Sequence, residues 1–252
     1  MNKIALITGA TSGIGRATAK KLAQHNFDVI ITGRRKELLE DLKKEIQSQP
    51  SGRVYILTFD VRDNKAVNQA IDSLPSDWQN IEVLLNNAGL ALGLNHINEG
   101  VIDDWERMID TNIKGLLYVT RKISPRMIEK KHGHIINIGS TAGREVYEKG
   151  NVYSSTKHAA IALTQAMRID MLKHKVKVTA INPGMVETEF SVVRFKGDKE
   201  KADKAYQGFT PLYGEDVADA ILYVVTRPEH VCINDMIITA TAQANSFYKV
   251  TG

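Results

Sequence analysis

Tyr153 and Lys157 stand four residues apart in the segment NVYSSTKHAA, residues 151–160. On a helix this spacing places the two side chains one turn apart on the same face. A lysine ammonium in that position can stabilise a tyrosinate, so that the phenol exchanges a proton near neutral pH. Tyr118 and Lys122 have the same spacing, however, so spacing alone does not identify a catalytic pair.

Two further polar residues distinguish the pair Tyr153 and Lys157 from the pair Tyr118 and Lys122. Ser140 directly follows the strand-like segment HIINIG, thirteen residues before Tyr153, whereas the position thirteen residues before Tyr118 is Trp105, which has no hydroxyl. Asn112 lies on the apolar face of a predicted helix, where a buried amide requires hydrogen-bond partners. We therefore expect Asn112 to be a structural anchor, a functional relay, or both.

Short β-branched runs alternate with longer amphipathic segments along the chain. This rhythm predicts an α/β fold, a Rossmann-type doubly wound parallel sheet of about seven strands with helices on both faces, formed by residues 1–252 as a single domain. Residues of about 184–210 mix polar, basic and aromatic side chains after a turn, and are expected to form a lid over a substrate. The predicted strands are IALIT, DVIIT, RVYILTF, IEVLLN, HIINIG, KVKVTAI and DMIITA.

The segment TGATSGIG, residues 8–15, joins the first predicted strand to the first predicted helix. Glycines allow the backbone to turn sharply and approach a pyrophosphate, which a helix N-terminus stabilises. The glycine spacing differs from the common G-x-G-x-x-G pattern, and a purely structural turn is the alternative interpretation. The expected cofactor contacts in this segment are Gly9, Thr11, Ser12, Gly13, Ile14 and Gly15.

Arg34 and Arg35 follow the second predicted strand, where an NAD-binding site would carry an acidic residue for the ribose hydroxyl. Guanidinium groups pair with a 2′-phosphate, which a carboxylate would repel. The sequence therefore favours NADP(H) over NAD(H); the alternative is that both arginines only cover a helix start.

In the order and spacing of these motifs the chain resembles the short-chain dehydrogenase/reductase family from end to end. The resemblance also includes NNAG at 86–89 and PGMVET at 183–188. It implies that Tyr153 is the proton donor and acceptor, Lys157 its activator and a ribose ligand, Ser140 the carbonyl anchor and Asn112 part of a proton relay. The further cofactor contacts that it implies are Asp60, Val61, Asn87, Ala88, Gly89, Pro183, Gly184, Val186 and Thr188.

Several stretches resemble one subgroup, the NADP-dependent 3-hydroxy acid and serine dehydrogenases; among them are LLNNAGLALG and VETEFSVVRFKGD. This resemblance implies a homotetramer acting on L-allo-threonine, L-serine, 3-hydroxypropionate or the matching semialdehydes. Such substrates need a cation for their carboxylate. The candidates are Arg144, four residues past Ser140, and Arg194 in the predicted lid. A 3-ketoacyl or other carbonyl reductase, and a non-catalytic NADP(H) sensor, remain as alternatives.

Composition excludes several other functions. The net charge is +4, but basic residues alternate with acidic ones, which does not favour a nucleic-acid partner. The sequence contains no run of eighteen apolar residues, so no membrane partner is expected. His132 and His134 lack a third ligand at a recognisable spacing, so no metal is expected. The single cysteine, Cys232, and the absence of a leader pattern predict a cytoplasmic protein.

Overall fold

A computed structural model describes residues 2–50 and 52–252 of the chain. In this part of the chain seven strands form one sheet in the order β3-β2-β1-β4-β5-β6-β7, and every neighbouring pair is parallel. The predicted Rossmann-type sheet is confirmed. The strands are β1 (Ile4–Ile7), β2 (Asp28–Gly33), β3 (Val54–Thr58), β4 (Ile81–Asn86), β5 (Gly133–Ile138), β6 (Val176–Pro183) and β7 (Asp235–Ile238).

Helices cover both faces of the sheet because its strands are apolar on both sides, as parallel strands generally are. One face carries α1 (Gly13–Gln24), α2 (Lys36–Gln47) and α9 (Gly214–Val225). The other carries α3 (Asn64–Asp72), α5 (Leu116–Lys130) and α6 (Asn151–Met171). The strand order reverses between β1 and β4, which places a ligand-binding crevice at the carboxyl ends of these two strands.

The predicted helix that carries Asn112 extends from residue 102 to residue 130, but its α-helical hydrogen bonding is interrupted. Between α4 (Ile102–Ile109) and α5, the segment Asp110–Gly115 forms a π-helix. Such π-bulges inside α-helices occur frequently at functional sites. This one contains Asn112.

The segment predicted as a lid contains two short helices, α7 (Glu189–Arg194) and α8 (Lys199–Lys204). Thr188 caps α7 through its hydroxyl, and Asp198 caps α8 through its carboxylate. Among the residues that the structure describes, no helix has the length and apolar character needed to cross a membrane. Over the same residues, no group of three or more His, Cys, Asp or Glu side chains could hold a metal ion.

His134 lies at the start of β5, with 4% of its surface exposed. Its Nε2 lies 2.8 Å from the hydroxyl of Thr179, while its Nδ1 is buried with no hydrogen-bond partner. Burial, assisted by the nearby positive charges of Lys177 and Lys3, lowers the pKa of His134 to about 3. The fold therefore holds this imidazole neutral.

Stability should consequently fall as the pH drops below the ordinary histidine pKa, because only the unfolded chain then binds the proton. Between pH 7.5 and pH 5 the contribution of His134 to the free energy of unfolding should fall by about 2 kcal/mol. Urea denaturation of His134→Gln should show a correspondingly smaller loss over this range. The exposed His158 offers a matched substitution, His158→Gln, which should keep the wild-type pH dependence. Equal pH dependence in wild type and His134→Gln would contradict the assignment.

Candidate active site

A groove of about 350 Å³ lies at the carboxyl edge of the sheet, above β1 and β4. The glycine loop, the ends of the central strands, α6 and α7 all contribute to its walls. Nineteen of the residues singled out from the sequence line it: Gly9, Thr11, Ser12, Gly13, Ile14, Arg34, Arg35, Asp60, Val61, Asn87, Ala88, Gly89, Ser140, Tyr153, Lys157, Pro183, Gly184, Val186 and Thr188. Gly15, Asn112, Arg144 and Arg194 do not line this groove.

The glycine loop has the shape of a phosphate cradle. Gly9 and Gly13 adopt left-handed backbone angles, with φ of +67° and +52°. A Cβ at Gly15 would lie 2.4 Å from the carbonyl oxygen of Gly9, so only glycine fits there. The N-cap Ser12 does not cap α1 with its side chain, which leaves the first amides of this twelve-residue helix for another acceptor. The loop therefore fits the pyrophosphate of a dinucleotide.

Thr8, which the sequence analysis did not single out, connects this loop to the end of β4. Its hydroxyl accepts hydrogen bonds from the backbone N–H groups of Asn87 and Ala88, both at 3.0 Å. The side-chain amide of Asn87 in turn donates to the carbonyl oxygens of Thr8 and Gly9 at 2.8 and 3.1 Å. These bonds fix the floor of the groove.

Basic side chains surround the end of the groove near β2 and β3. Arg34 lies 3.7 Å from a carboxylate oxygen of Asp60, whose main partner is Arg62 at 2.7 Å. Burial favours the neutral carboxyl, but the hydrogen bonds from Arg62 outweigh it and hold the pKa of Asp60 below its ordinary value. Arg35 extends over the glycine loop and donates to the hydroxyl of Thr11 at 2.8 Å.

Asn112 is buried, and its side-chain amide is engaged on both sides. Its Oδ1 accepts from the backbone N–H of Leu90 at 2.9 Å, and its Nδ2 donates to the carbonyl oxygen of Leu90 at 2.8 Å. The same Nδ2 donates to the hydroxyl of Thr156 at 3.0 Å, and that hydroxyl donates to the carbonyl oxygen of Tyr153. Asn112 therefore anchors the turn of α6 that carries Tyr153, while its part in a proton relay stays a prediction.

Tyr153 and Lys157 lie one turn apart on α6, with the Lys157 ammonium 5.9 Å from the centre of the Tyr153 ring. Lys157 donates to the carbonyl oxygen of Ile138 at 2.9 Å, and burial lowers its pKa to about 8. Burial raises the pKa of Tyr153 to about 12, although the charge of Arg194 and a hydrogen bond with Ser140 act in the opposite direction. The phenol is thus protonated and suited to donate a proton. Its use as a base requires further positive charge in the groove.

Arg194, at the end of α7, lies against Tyr153. Its guanidinium carbon is 4.9 Å from the centre of the Tyr153 ring and 5.6 Å from that of Phe190. It donates to the hydroxyl of Tyr147 at 2.6 Å, while its Nε is buried with no hydrogen-bond partner.

Arg144, the other candidate for a substrate cation, forms an ion pair with Asp235 at the start of β7. The second carboxylate oxygen of Asp235 accepts from Asn182 at 2.6 Å. This partner is 91 residues away in the sequence, which is why spacing did not reveal it. This placement favours Arg194 over Arg144 as the side chain that would bind the carboxylate of the substrate.

The second tyrosine-lysine pair lies elsewhere. Tyr118 and Lys122 line a cleft of about 480 Å³ between α3 and α5, away from the glycine loop. Lys122 is already paired with Asp72 at 2.7 Å. The chemistry expected of the first pair therefore has no counterpart here.

A glycine loop at the switch point of a parallel sheet, with serine, tyrosine and lysine facing it, defines a nucleotide-dependent oxidoreductase of the Rossmann type. More specifically, the chain belongs to the short-chain dehydrogenase family, whose profile matches residues 3–199. The resemblance identified from the motifs is confirmed.

Individual relatives narrow the comparison. The chain is 47% identical to NADP-dependent 3-hydroxy acid dehydrogenase YdfG of Escherichia coli strain K12 over 242 residues, 96% of either chain. It is 44% identical to sulfoacetaldehyde reductase 2 of Chromohalobacter salexigens over 251 residues, 99% of either chain. Its fold matches the closed form of serine dehydrogenase complexed with NADP+ at a TM-score of 0.93 and 46% identity, covering 99% of both chains.

Phenylalanine substitutions separate the two tyrosines. Tyr153→Phe should lower turnover at least about a hundredfold, because it removes the group expected to transfer the proton, and should retain NADPH binding. Tyr118→Phe is the matched control and should keep nearly full activity. Initial rates and NADPH titrations of both variants measure this difference. Loss of activity in Tyr118→Phe alone would contradict the assignment.

Proposed function

We propose that this chain is an NADP-dependent oxidoreductase that transfers a hydride between the nicotinamide and the carbinol carbon of a small hydroxy acid. The observation that carries the substrate class is Arg194, a guanidinium stacked on the catalytic phenol with its Nε unpaired. The expected compounds are L-allo-threonine, L-serine and 3-hydroxypropionate, or the matching semialdehydes.

The relatives support an anionic substrate. A 3-hydroxy acid, serine and sulfoacetaldehyde differ in their remaining groups, but each carries a carboxylate or sulfonate close to the reacting carbon. A planar guanidinium binds either anion through charge-assisted hydrogen bonds. A neutral or long-chain ketone offers Arg194 no such partner, which disfavours a reductase of hydrophobic carbonyl compounds.

The cofactor is NADP(H). The glycine loop accommodates its pyrophosphate, and Arg34 and Arg35 provide positive charge where the 2′-phosphate would lie. Thr188 at the start of α7 and Pro183 at the end of β6 line the part of the groove expected to hold the nicotinamide. When bound, the nicotinamide accepts or supplies the hydride.

The protein's own groups handle the proton. Ser140 and Tyr153 line the same groove, where both hydroxyls can bind one substrate oxygen. In reduction the Tyr153 phenol donates its proton to the carbonyl oxygen, and in oxidation the phenolate removes the hydroxyl proton. Lys157 on the next turn stabilises the phenolate by its positive charge.

We propose that residues of about 184–210 act as a lid. Phe190 meets the Tyr153 ring edge-on, with 5.6 Å between the ring centres, and so limits access of water to the phenol. The carbonyl oxygen of Arg194 accepts from the backbone N–H of Gly93 at 3.0 Å, and Lys196 pairs with the buried Asp104 at 2.8 Å. These contacts hold the end of α7 against the loop after β4 and against the first turn of α4.

We also infer that the chain assembles as a homotetramer. Ile169 and Leu172 at the end of α6 are 75% and 73% exposed, and Ile102 on α4, which packs against α6, is 59% exposed. Apolar side chains of this size are typical of an interface between copies. The lone Cys232 supports a reducing compartment such as the cytoplasm.

The substrate anion can be tested with paired substitutions. Arg194→Leu should raise the KM for 3-hydroxypropionate about tenfold to a hundredfold, because a charge-assisted hydrogen bond is lost. The KM for the neutral analogue 3-hydroxypropionamide should change much less. Initial rates of NADPH formation from NADP supply both values. Arg144→Leu is the matched control.

Equal KM changes for the acid and the amide in Arg194→Leu would show that Arg194 does not bind the anion. If wild-type enzyme binds NADPH but oxidises none of the three hydroxy acids, the substrate class is wrong.

A further inference from the structure

An ion pair crosses the cofactor groove. Nη2 of Arg35, the residue before α2, donates to Oε2 of Glu189 at 2.9 Å, although the two residues are 154 positions apart. Glu189 is the first residue of α7. The preceding Thr188 lies directly above the glycine loop, since a Cβ at Gly13 would be 3.0 Å from its methyl group. The carboxylate of Glu189 therefore reaches from the lid to the region expected to hold the adenosine.

The terminal nitrogen Nη2 of Arg35 has more acceptors around it than it has hydrogens to donate. Nη2 carries two hydrogens but faces three acceptors: Thr11 at 2.8 Å, Ser12 at 3.3 Å and Glu189 at 2.9 Å. A phosphate arriving at this nitrogen must displace an acceptor or share its hydrogens. Of the three acceptors, only Glu189 carries a negative charge. Its carboxylate would repel an incoming phosphate, and the phosphate would take its place at Arg35.

Arg34 is paired with a carboxylate more weakly than Arg35 is. Its nearest acidic partner, Asp60, is 3.7 Å away and is bound more closely by Arg62. The two arginines proposed for the 2′-phosphate thus differ, because Arg34 is only weakly paired whereas Arg35 is held by a carboxylate.

We propose that Glu189 is a specificity-determining residue that competes with the 2′-phosphate of NADP(H) for Arg35. This inference rests on the proposed use of NADP(H). Glu189 therefore reduces the preference for NADP(H), because its carboxylate opposes binding of the phosphorylated cofactor and leaves binding of NAD(H) almost unaffected. Binding of the phosphate also releases the first turn of α7 from Arg35.

The test is the ratio of the dissociation constants of NADH and NADPH, measured by titration without substrate. Glu189→Gln keeps the shape of the side chain and removes its charge. The ratio should rise about threefold to fivefold in this variant, the range expected for a half-exposed charge pair. Because the pair is half-exposed, the rise should shrink in 1 M salt.

Glu187→Gln is the matched control. Glu187 is exposed and does not line the groove, so this variant loses the same charge two residues away. Its ratio should stay at the wild-type value. An equal rise in both variants would reduce the effect to net charge and overturn the proposal.

An unchanged or smaller ratio in Glu189→Gln would also overturn it, including the case in which both cofactors bind more weakly to the same degree. Thermal unfolding checks that the variant is folded, and Glu189→Ala should show the same direction if the glutamine variant is not. If wild-type protein binds neither NADPH nor NADH, the proposed function fails instead.

Discussion

The site depends on one buried amide. Asn112 binds both backbone groups of Leu90 and the hydroxyl of Thr156, so it joins the loop after β4 to the turn of α6 that carries Tyr153. An α-helix with its regular bonds would turn the residues after Asp110 differently, and the π-helical segment sets the position of this amide. The cost of an irregular helix is offset by hydrogen bonds that a buried amide must make.

Charge organises the chemistry around that anchor. Burial raises the pKa of Tyr153 to about 12 despite the opposing charge of Arg194, which suits a proton donor and opposes its use as a base. Two cations lie near its ring, Lys157 from α6 and Arg194 from the lid. We propose that an anionic substrate neutralises Arg194 and leaves Lys157 to stabilise the phenolate. In this proposal the arrangement that favours hydroxy acids also adjusts the proton transfer.

Much of this could be predicted from the sequence, because the relevant signals are local. The apolar β-branched runs predicted the seven strands, and the glycine loop followed directly from the residues between β1 and α1. Other features depend on contacts between distant residues. No local pattern marks the π-helical segment at Asp110–Gly115, and the partner of Arg144 lies on β7. The proposed role of Glu189 likewise depends on a distant contact, because its carboxylate meets Arg35 only when α7 lies over the groove.

Hydride transfer between a small hydroxy acid and NADP should depend on Tyr153. The most direct measurement supplies 3-hydroxypropionate deuterated at its carbinol carbon together with NADP, and follows the label in the nicotinamide by mass spectrometry. Wild-type protein should form deuterated NADPH, and Tyr153→Phe should form essentially none. Wild-type protein that binds NADP under these conditions and forms no deuterated NADPH would contradict this prediction.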